Sequence, residues 1–338
     1  MADTTLIPVH HDGREASSRF ATALVAAIVV FAIVLRVVSP GRVAWIQAAL
    51  IVFGSLLIQA LPFVLIGALA SAAIEVFVPL GTLERLADLP RPLQLPAAGL
   101  AGIAFPICEC GSVPVARRLI AKGLMPSAAI TFMLAAPVLN PVVIASTFVA
   151  FRGRPALWTM VIGRFGLGLI VAIVAGWALG GRTKDELLRP TGRDDHEHLE
   201  LGRPEPRWRS FFVHLGNDFL FMGRFLILGA TAAALFQTFL PQSVVSKVAS
   251  VPLVNIVVMM GLAAVLSLCS ESDAFIAASF VQFGPSAQLA FLVFGPMVDL
   301  KLGALYAGTF GKGVLRSIVV TVAVVTFVGA LWIGVLSG

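Results

Sequence analysis

Charge is scarce in this 338-residue chain: Asp, Glu, Lys and Arg make up 12% of it and hydrophobic residues 58%, where soluble domains carry about 25% and about 45–50%. The deficit excludes a water-facing surface over most of the molecule and points to lipid. Cysteine is scarcer still, with three in all. An odd count with none in a polar loop excludes an extracellular disulfide framework and leaves the thiols reduced. No G-x-x-x-x-G-K-[ST] stretch occurs, so nothing marks an ATP site. The formal charge of +6 resides in arginines that flank apolar runs, where they act as topology signals and not as a nucleic-acid footprint.

What is abundant is apolar sequence. Runs near 20–38, 44–78, 95–116, 126–151, 156–180, 211–240, 251–269, 285–310 and 314–337 approach or exceed the roughly 20 residues that cross a bilayer. They predict an all-α polytopic membrane protein of eight or nine spans, with the lipid bilayer as its obligatory partner. Residues 1–19 form a polar tail. The 20–38 run lacks a following small-residue cleavage site and reads as an extra anchoring span. Gly181–Ser210 is a charged linker with seven Lys/Arg, seven Asp/Glu and three prolines. Within it Asp194–His198 reads as a solvated loop and not a metal site, as does His10–His11. An outside amino terminus places Arg36, Arg42, Arg117, Arg118, Lys122 and the linker bases in the cytoplasm. Re-entrant thiol segments would change that parity and make the two halves inverted repeats instead of parallel ones.

The linker separates two halves, 44–180 and 211–337, each read as four apolar segments with broken helices. An offset of 159 residues relates Cys110 to Cys269, Gly102 to Gly261, Pro126 to Pro285, Pro137 to Pro296 and Asn140 to Asp299. Leu61–Ala68 resembles Gly223–Ala230 at an offset of 162. The chain therefore reads as two homologous repeats.

Phe-Pro-Ile-Cys-Glu-Cys-Gly at 105–111 carries the chemistry. On a helix Cys108 and Cys110 would point about 200° apart, whereas extended backbone turns them the same way. Pro106, Gly111 and Pro114 are the residues expected to break the helix and permit chelation. Such backbone is tolerated at membrane depth only inside protein or beside an aqueous cavity. Glu109, Glu271 and Asp273 lie beside the thiols, where a central acid costs about 2.5–3.5 kcal/mol on insertion scales. They read either as proton carriers or as structural ion pairs. Pro137 and Pro141 in one half and Pro296 in the other break equivalent spans, with Asn140 and Asp299 as polar ligands at matched depth. Asp218 and Arg224 are expected at an aqueous edge, and Arg164 is expected to snorkel.

Pro-Ile-Cys-Glu-Cys-Gly-Ser-Val-Pro-Val-Ala, Ala-Ala-Pro-Val-Leu-Asn-Pro and Cys-Ser-Glu-Ser-Asp-Ala-Phe together resemble the predicted-permease family that includes the organoarsenical-efflux permease ArsP, over about residues 45–335. The resemblance implies a multi-pass bacterial inner-membrane permease, with export of trivalent organoarsenicals in some members. The expectation is a transporter and not an enzyme, with no cofactor, exporting a small thiophilic solute by proton-linked alternating access. Cys108, Cys110, Cys269, Asn140 and Asp299 are its substrate ligands. Glu109, Glu271 and Asp273 couple protons. A soft metal or metalloid such as Cu(I) or arsenite would take the three thiols, and a membrane thiol oxidoreductase using Cys108 and Cys110 is the rival reading.

Overall fold

A computed structural model describes residues 44–77, 91–104, 107–181, 184–188, 207–239 and 253–337. The amino-terminal tail, the 20–38 span, Pro106 and the Asp194–His198 stretch lie outside the described residues. Ile51–Gly338 forms one compact unit, and the site described below belongs to it.

The helices are α1 (Ala44–Phe77), α2 (Arg91–Ala104), α3 (Glu109–Ala121), α4 (Pro126–Leu139), α5 (Pro141–Ala150) and α6 (Leu157–Leu179), then the single turn α7 (Lys184–Leu187). They continue as α8 (Arg207–Phe239), α9 (Val254–Leu266), α10 (Asp273–Ser279), α11 (Pro285–Phe294), α12 (Leu300–Thr309) and α13 (Lys312–Ser337). Lengths of 34, 14, 13, 14, 10 and 23 residues in α1–α6 are followed by 33, 13, 7, 10, 10 and 26 in α8–α13. Among the described residues six helices precede α7 and six follow it, and apolar runs that look continuous are interrupted at 107–108, Asn140, 267–272 and 295–299.

Five described helical stretches are long and apolar enough to cross a membrane: Trp45–Phe77, Pro126–Ala150, Leu157–Leu179, Arg207–Thr238 and Gly313–Val335. Their tryptophans mark the bilayer edges. Trp45, Trp158, Trp177, Trp208 and Trp332 all lie near span ends and are exposed, as expected of an aromatic belt facing headgroups. This is a multi-pass membrane protein.

The core lies around α4, apolar on every side and buried from Ser127 to Leu139, as a helix enclosed by other helices must be. It packs against α2, α3 and α6; α11 takes the same place among α9, α6 and α13. The halves interlock where α3 packs on α12, α10 on α5, and α6 on α13. Close approach is set by glycines. A Cβ on Gly111 would lie 2.8 Å from the Cα of Gly67, so α1 and α3 touch backbone to backbone. Gly229, in the segment that resembles the one holding Gly67, does the same against α12: its Cβ would lie 2.5 Å from the Cα of Lys301. Small residues at such crossings let membrane helices pack without a hydrophobic driving force.

The described start of the charged linker is not simply solvated. Leu187 is fully buried and accepts a hydrogen bond from the amide of Gly311 at 3.1 Å. Leu188 forms an isolated antiparallel bridge with Phe310.

Candidate functional site

Two helix starts carry the thiols. Cys108 is extended (φ −73°, ψ 171°), and α3 begins at the next residue. Its carbonyl accepts from the amides of Gly111 and Ser112, both at 3.1 Å. The carbonyl of Cys269 accepts from Ser272 at 2.9 Å and Asp273 at 3.1 Å, the same three- and four-residue steps. Hydrogen bonding therefore matches Cys269 to Cys108, whereas the 159-residue offset matches it to Cys110. Ser267, left-handed at φ 48°, ends α9 and turns the chain toward Cys269. Its hydroxyl accepts from the amide of Leu300 at 3.2 Å, tying this turn to the start of α12.

Several expected helix breakers act otherwise. The helix runs through Gly111 and Pro114. Gly111 provides the backbone contact with Gly67, and Pro114 withholds the amide that would have bonded the carbonyl of Cys110. Cys110 is therefore helical and only Cys108 is extended. Both thiols are buried, Cys108 just before the helix and Cys110 in its first turn. Pro137 lies inside α4. The real interruptions are at Asn140, before Pro141 at the first position of α5, and in the turn holding Pro296.

Asn140 and Asp299 occupy matching places as caps. The side-chain oxygen of Asn140 accepts from the amide of Val142 at 2.9 Å, and Oδ1 of Asp299 accepts from Leu302 at 2.6 Å. Each satisfies an orphan donor at a helix start. Asp299 differs in having a second oxygen, Oδ2, that lies 3.6 Å from Nζ of Lys301.

Lys301 joins this cap to the first thiol helix. Its Nζ is also 3.6 Å from Oε1 of Glu109, whose Oε2 accepts from the hydroxyl of Ser270 at 3.1 Å. Glu109 is 1% exposed, Lys301 2% and Asp299 4%. Glu109 Oε1, Lys301 Nζ, Asp299 Oδ2 and both carboxylate oxygens of Glu271 are buried without a hydrogen-bond partner, a concentration that native interiors rarely tolerate. All three cysteines are buried and free. Among the described residues no three His, Cys, Asp or Glu side chains are grouped as a metal site would need.

Arg164 does not snorkel. It is 1% exposed and grips Asp273 with both terminal nitrogens, at 2.9 and 2.7 Å. It also donates to Thr147 Oγ1 at 2.9 Å and to the carbonyl of Ser270 at 3.2 Å. Such fork geometry is the strong form of a carboxylate pair. Of the three acids read beside the thiols, Asp273 is the one fixed in an ion pair.

Asp218 is 7% exposed and does not sit at an aqueous edge with Arg224. It accepts from Ser71 at 2.7 Å and lies 3.5 Å from Arg118, which with Lys122 also holds Glu75, each at 3.2 Å. This network joins α1, α3 and α8. Arg224 instead lies over the rings of Phe221 and Phe225, 4.6 and 4.8 Å from their centres, which is cation–π geometry.

Lys301 was one of the three cations, with Arg117 and Arg118, that the sequence offered as counter-ions to the acids, and it is the one beside Glu109, whereas the pairing of Arg164 and the parts played by Ser270 and Thr147 were not foreseen. A charge inside an apolar run was the available signal for Arg164. For Ser270 and Thr147 there was none, since a hydroxyl is tolerated anywhere in a membrane helix.

The chain matches a family described as predicted permease over residues 45–335. It is 38% identical over 281 residues to the UPF0718 protein YcgR of Bacillus subtilis (strain 168), covering 83% of this chain and 95% of that protein. It is also 33% identical over 290 residues to a putative two-component membrane permease complex subunit of Streptococcus mutans serotype c (strain ATCC 700610 / UA159), covering 85% and 95%. No solved structure matches it.

Proposed function

We propose that this chain, which belongs to the predicted-permease family, exports a small thiophilic solute across the bacterial inner membrane by proton-linked alternating access. The observation that carries this reading is the meeting of two thiol-bearing helix starts with a buried, under-satisfied Glu109–Lys301–Asp299 cluster. Interrupted helices with free polar groups at their ends are how transporters build midplane sites. The matching order of α1–α6 and α8–α13 supports two repeats, with α3 and α10 as their thiol helices.

A trivalent monomethyl arsenical suits the buried thiols Cys108 and Cys110, one just before α3 and the other in its first turn. Each As–S bond that forms replaces an As–O bond, and the thiol proton leaves with the hydroxide as water, so two exchanges release two waters. Glu109, next to both cysteines in the chain, is the group to relay those protons. Inorganic arsenite or Cu(I) would draw in Cys269 as a third sulfur. The relative named as a subunit of a two-component complex favours a second membrane component for this chain as well.

Uptake into everted vesicles tests the reading, with methylarsenite, arsenite, Cu(I) and an apolar control as the panel. The wild type is expected to accumulate at least one thiophilic solute and not the control, and Cys108→Ser and Cys110→Ser to lose that uptake at normal membrane levels. Undiminished uptake by the double Ser variant would overturn the assignment of the thiols. The placing of two free thiols two residues apart also suits a dithiol–disulfide couple. Reversible oxidation of the pair without solute uptake would favour that alternative.

A further inference from the structure

We infer that Lys301 is a tethered cation: it fills, from within the chain, a monovalent-cation site whose anionic walls are Glu109 from the first half and Asp299 from the second. The Nζ atom is 3.6 Å from Oε1 of Glu109 and 3.6 Å from Oδ2 of Asp299. Tight charge-assisted bonds are about 2.7–2.9 Å, so Lys301 is bound to neither and shared by both. None of the three atoms has a hydrogen-bond partner, and the side chain is 2% exposed. That is the posture of an ion in a cage, held by charge and by enclosure.

The position is imposed from the backbone. Lys301 is the second residue of α12, whose start is fixed by the Asp299 cap and whose Cα lies where only a glycine, Gly229, lets α8 pass. The ammonium is therefore delivered by a rigid helix start. Among the described residues the other buried cation, Arg164, is committed to Asp273 through two hydrogen bonds. Removal of the Lys301 charge leaves two buried carboxylates with no counter-charge, which is the condition that recruits a cation from solution. An ammonium is close to potassium in size, so the vacated space suits K⁺ or a small primary ammonium better than a bulky quaternary one.

This deepens the transport reading and takes its meaning from it. A site with its own cation needs neither Na⁺ nor K⁺ to neutralise it, and it suits a solute that arrives uncharged, as trivalent arsenic hydroxides do. It also leaves protons as the coupling ion. Glu109 reaches across to Ser270 and Lys301, both in the second half, so the tethered charge joins the parts that alternating access must move.

The test needs no solute. Purified full-length wild type, Lys301→Ala and Lys301→Gln are melted at one pH and ionic strength with sodium, potassium, ethylammonium or choline as the cation, and the rate of cysteine alkylation is followed in parallel. Wild type is expected to give the same melting temperature in all four. Lys301→Ala should gain about 2–5 °C in ethylammonium over choline, with slower alkylation, and a smaller gain in potassium. A Lys301→Ala/Glu109→Gln/Asp299→Asn variant should lose that preference. If Lys301→Ala does not survive purification in sodium, the proposal requires that ethylammonium restore its yield. An unselective response of Lys301→Ala, no recovery by ethylammonium, or a saturable sodium or potassium response in wild type overturns it. Failure of every solute in the vesicle panel would sink the transport reading and leave this result standing.

Discussion

At the start of α3 the carboxylate of Glu109 has one oxygen on Ser270 and the other only within ion-pair range of Lys301, whereas at the start of α10 both oxygens of Asp273 are clamped by Arg164. The two starts share the hydrogen bonds to a cysteine carbonyl, but their acids sit at different steps, Glu109 directly after Cys108 and Asp273 four residues after Cys269. Their partners separate their roles. The second is an anchor, because Arg164 and Thr147 of the first half hold Asp273 and Ser270 of the second in one network. The first has polar capacity to spare, and a group with unused capacity can exchange partners when a proton or solute arrives.

The largest effect expected from breaking this contrast is at the anchor. Arg164→Met leaves Asp273 as an unpaired buried charge, which costs about 3–5 kcal/mol. Membrane levels of the variant should fall sharply. Arg164→Met/Asp273→Leu removes both charges and should recover most of the loss, because replacing a whole buried pair by apolar groups is often neutral. Quantitative immunodetection and thermal melting in detergent check both. If the single variant proves as stable as wild type, the anchor role is wrong.

A smaller and more selective effect is expected at the responsive side. Glu109→Gln keeps an acceptor for Ser270 and removes the charge that faces Lys301. Gradient-driven transport should be lost while solute counterflow persists, since binding by the thiols remains. Glu271, whose two oxygens are buried without partners, is the matching acid beside Cys269, and Glu271→Gln should act in the same direction. Comparing the two exchange modes for each variant checks this, and full gradient-driven transport by both would make these acids structural.

Much of this architecture was legible because the signals were local. Asn140 with Pro141, and Pro296 with Asp299, lie at interruptions that the structure places at Asn140 and at 295–299, whereas Pro137 lies inside α4. A proline lacks an amide the helix would use, yet Pro114 and Pro137 lie inside helices, so a proline marks a break only where the chain also turns. The exact role of each glycine and proline was not legible, because Gly111 and Pro114 become packing residues once α1 arrives beside them. Nor were two pairings between the halves. Arg164 and Asp273 are 109 positions apart, and Glu109 and Ser270 are 161 apart. No periodicity within a helix can report such a meeting, so Arg164 looked like a residue reaching for the interface. Nor could the 159-residue offset, which aligns Cys269 with Cys110, report that the carbonyls of Cys108 and Cys269 accept hydrogen bonds at the same three- and four-residue steps.

The finest test of the contrast compares the two helix caps, Asn140 and Asp299. Both donate the same backbone service, but only Asp299 also faces Lys301. Asn140→Ala should therefore lose a cap and nothing else, about 1 kcal/mol, seen as a drop of about 2–4 °C in melting temperature for a chain of this class. Asp299→Asn keeps an oxygen for the amide of Leu302, so a residue that only caps would melt like wild type. If the charge matters, Asp299→Asn should be destabilised despite the intact cap, because Lys301 keeps Glu109 alone as its buried counter-ion. Asp299→Ala should be worse than either, having lost cap and charge together. The order of the three melting temperatures decides the matter: Asn140→Ala highest, Asp299→Asn below it and Asp299→Ala lowest. Asp299→Asn melting with the wild type would reduce Asp299 to a cap, and the difference between the two breaks would then rest on Glu109 alone.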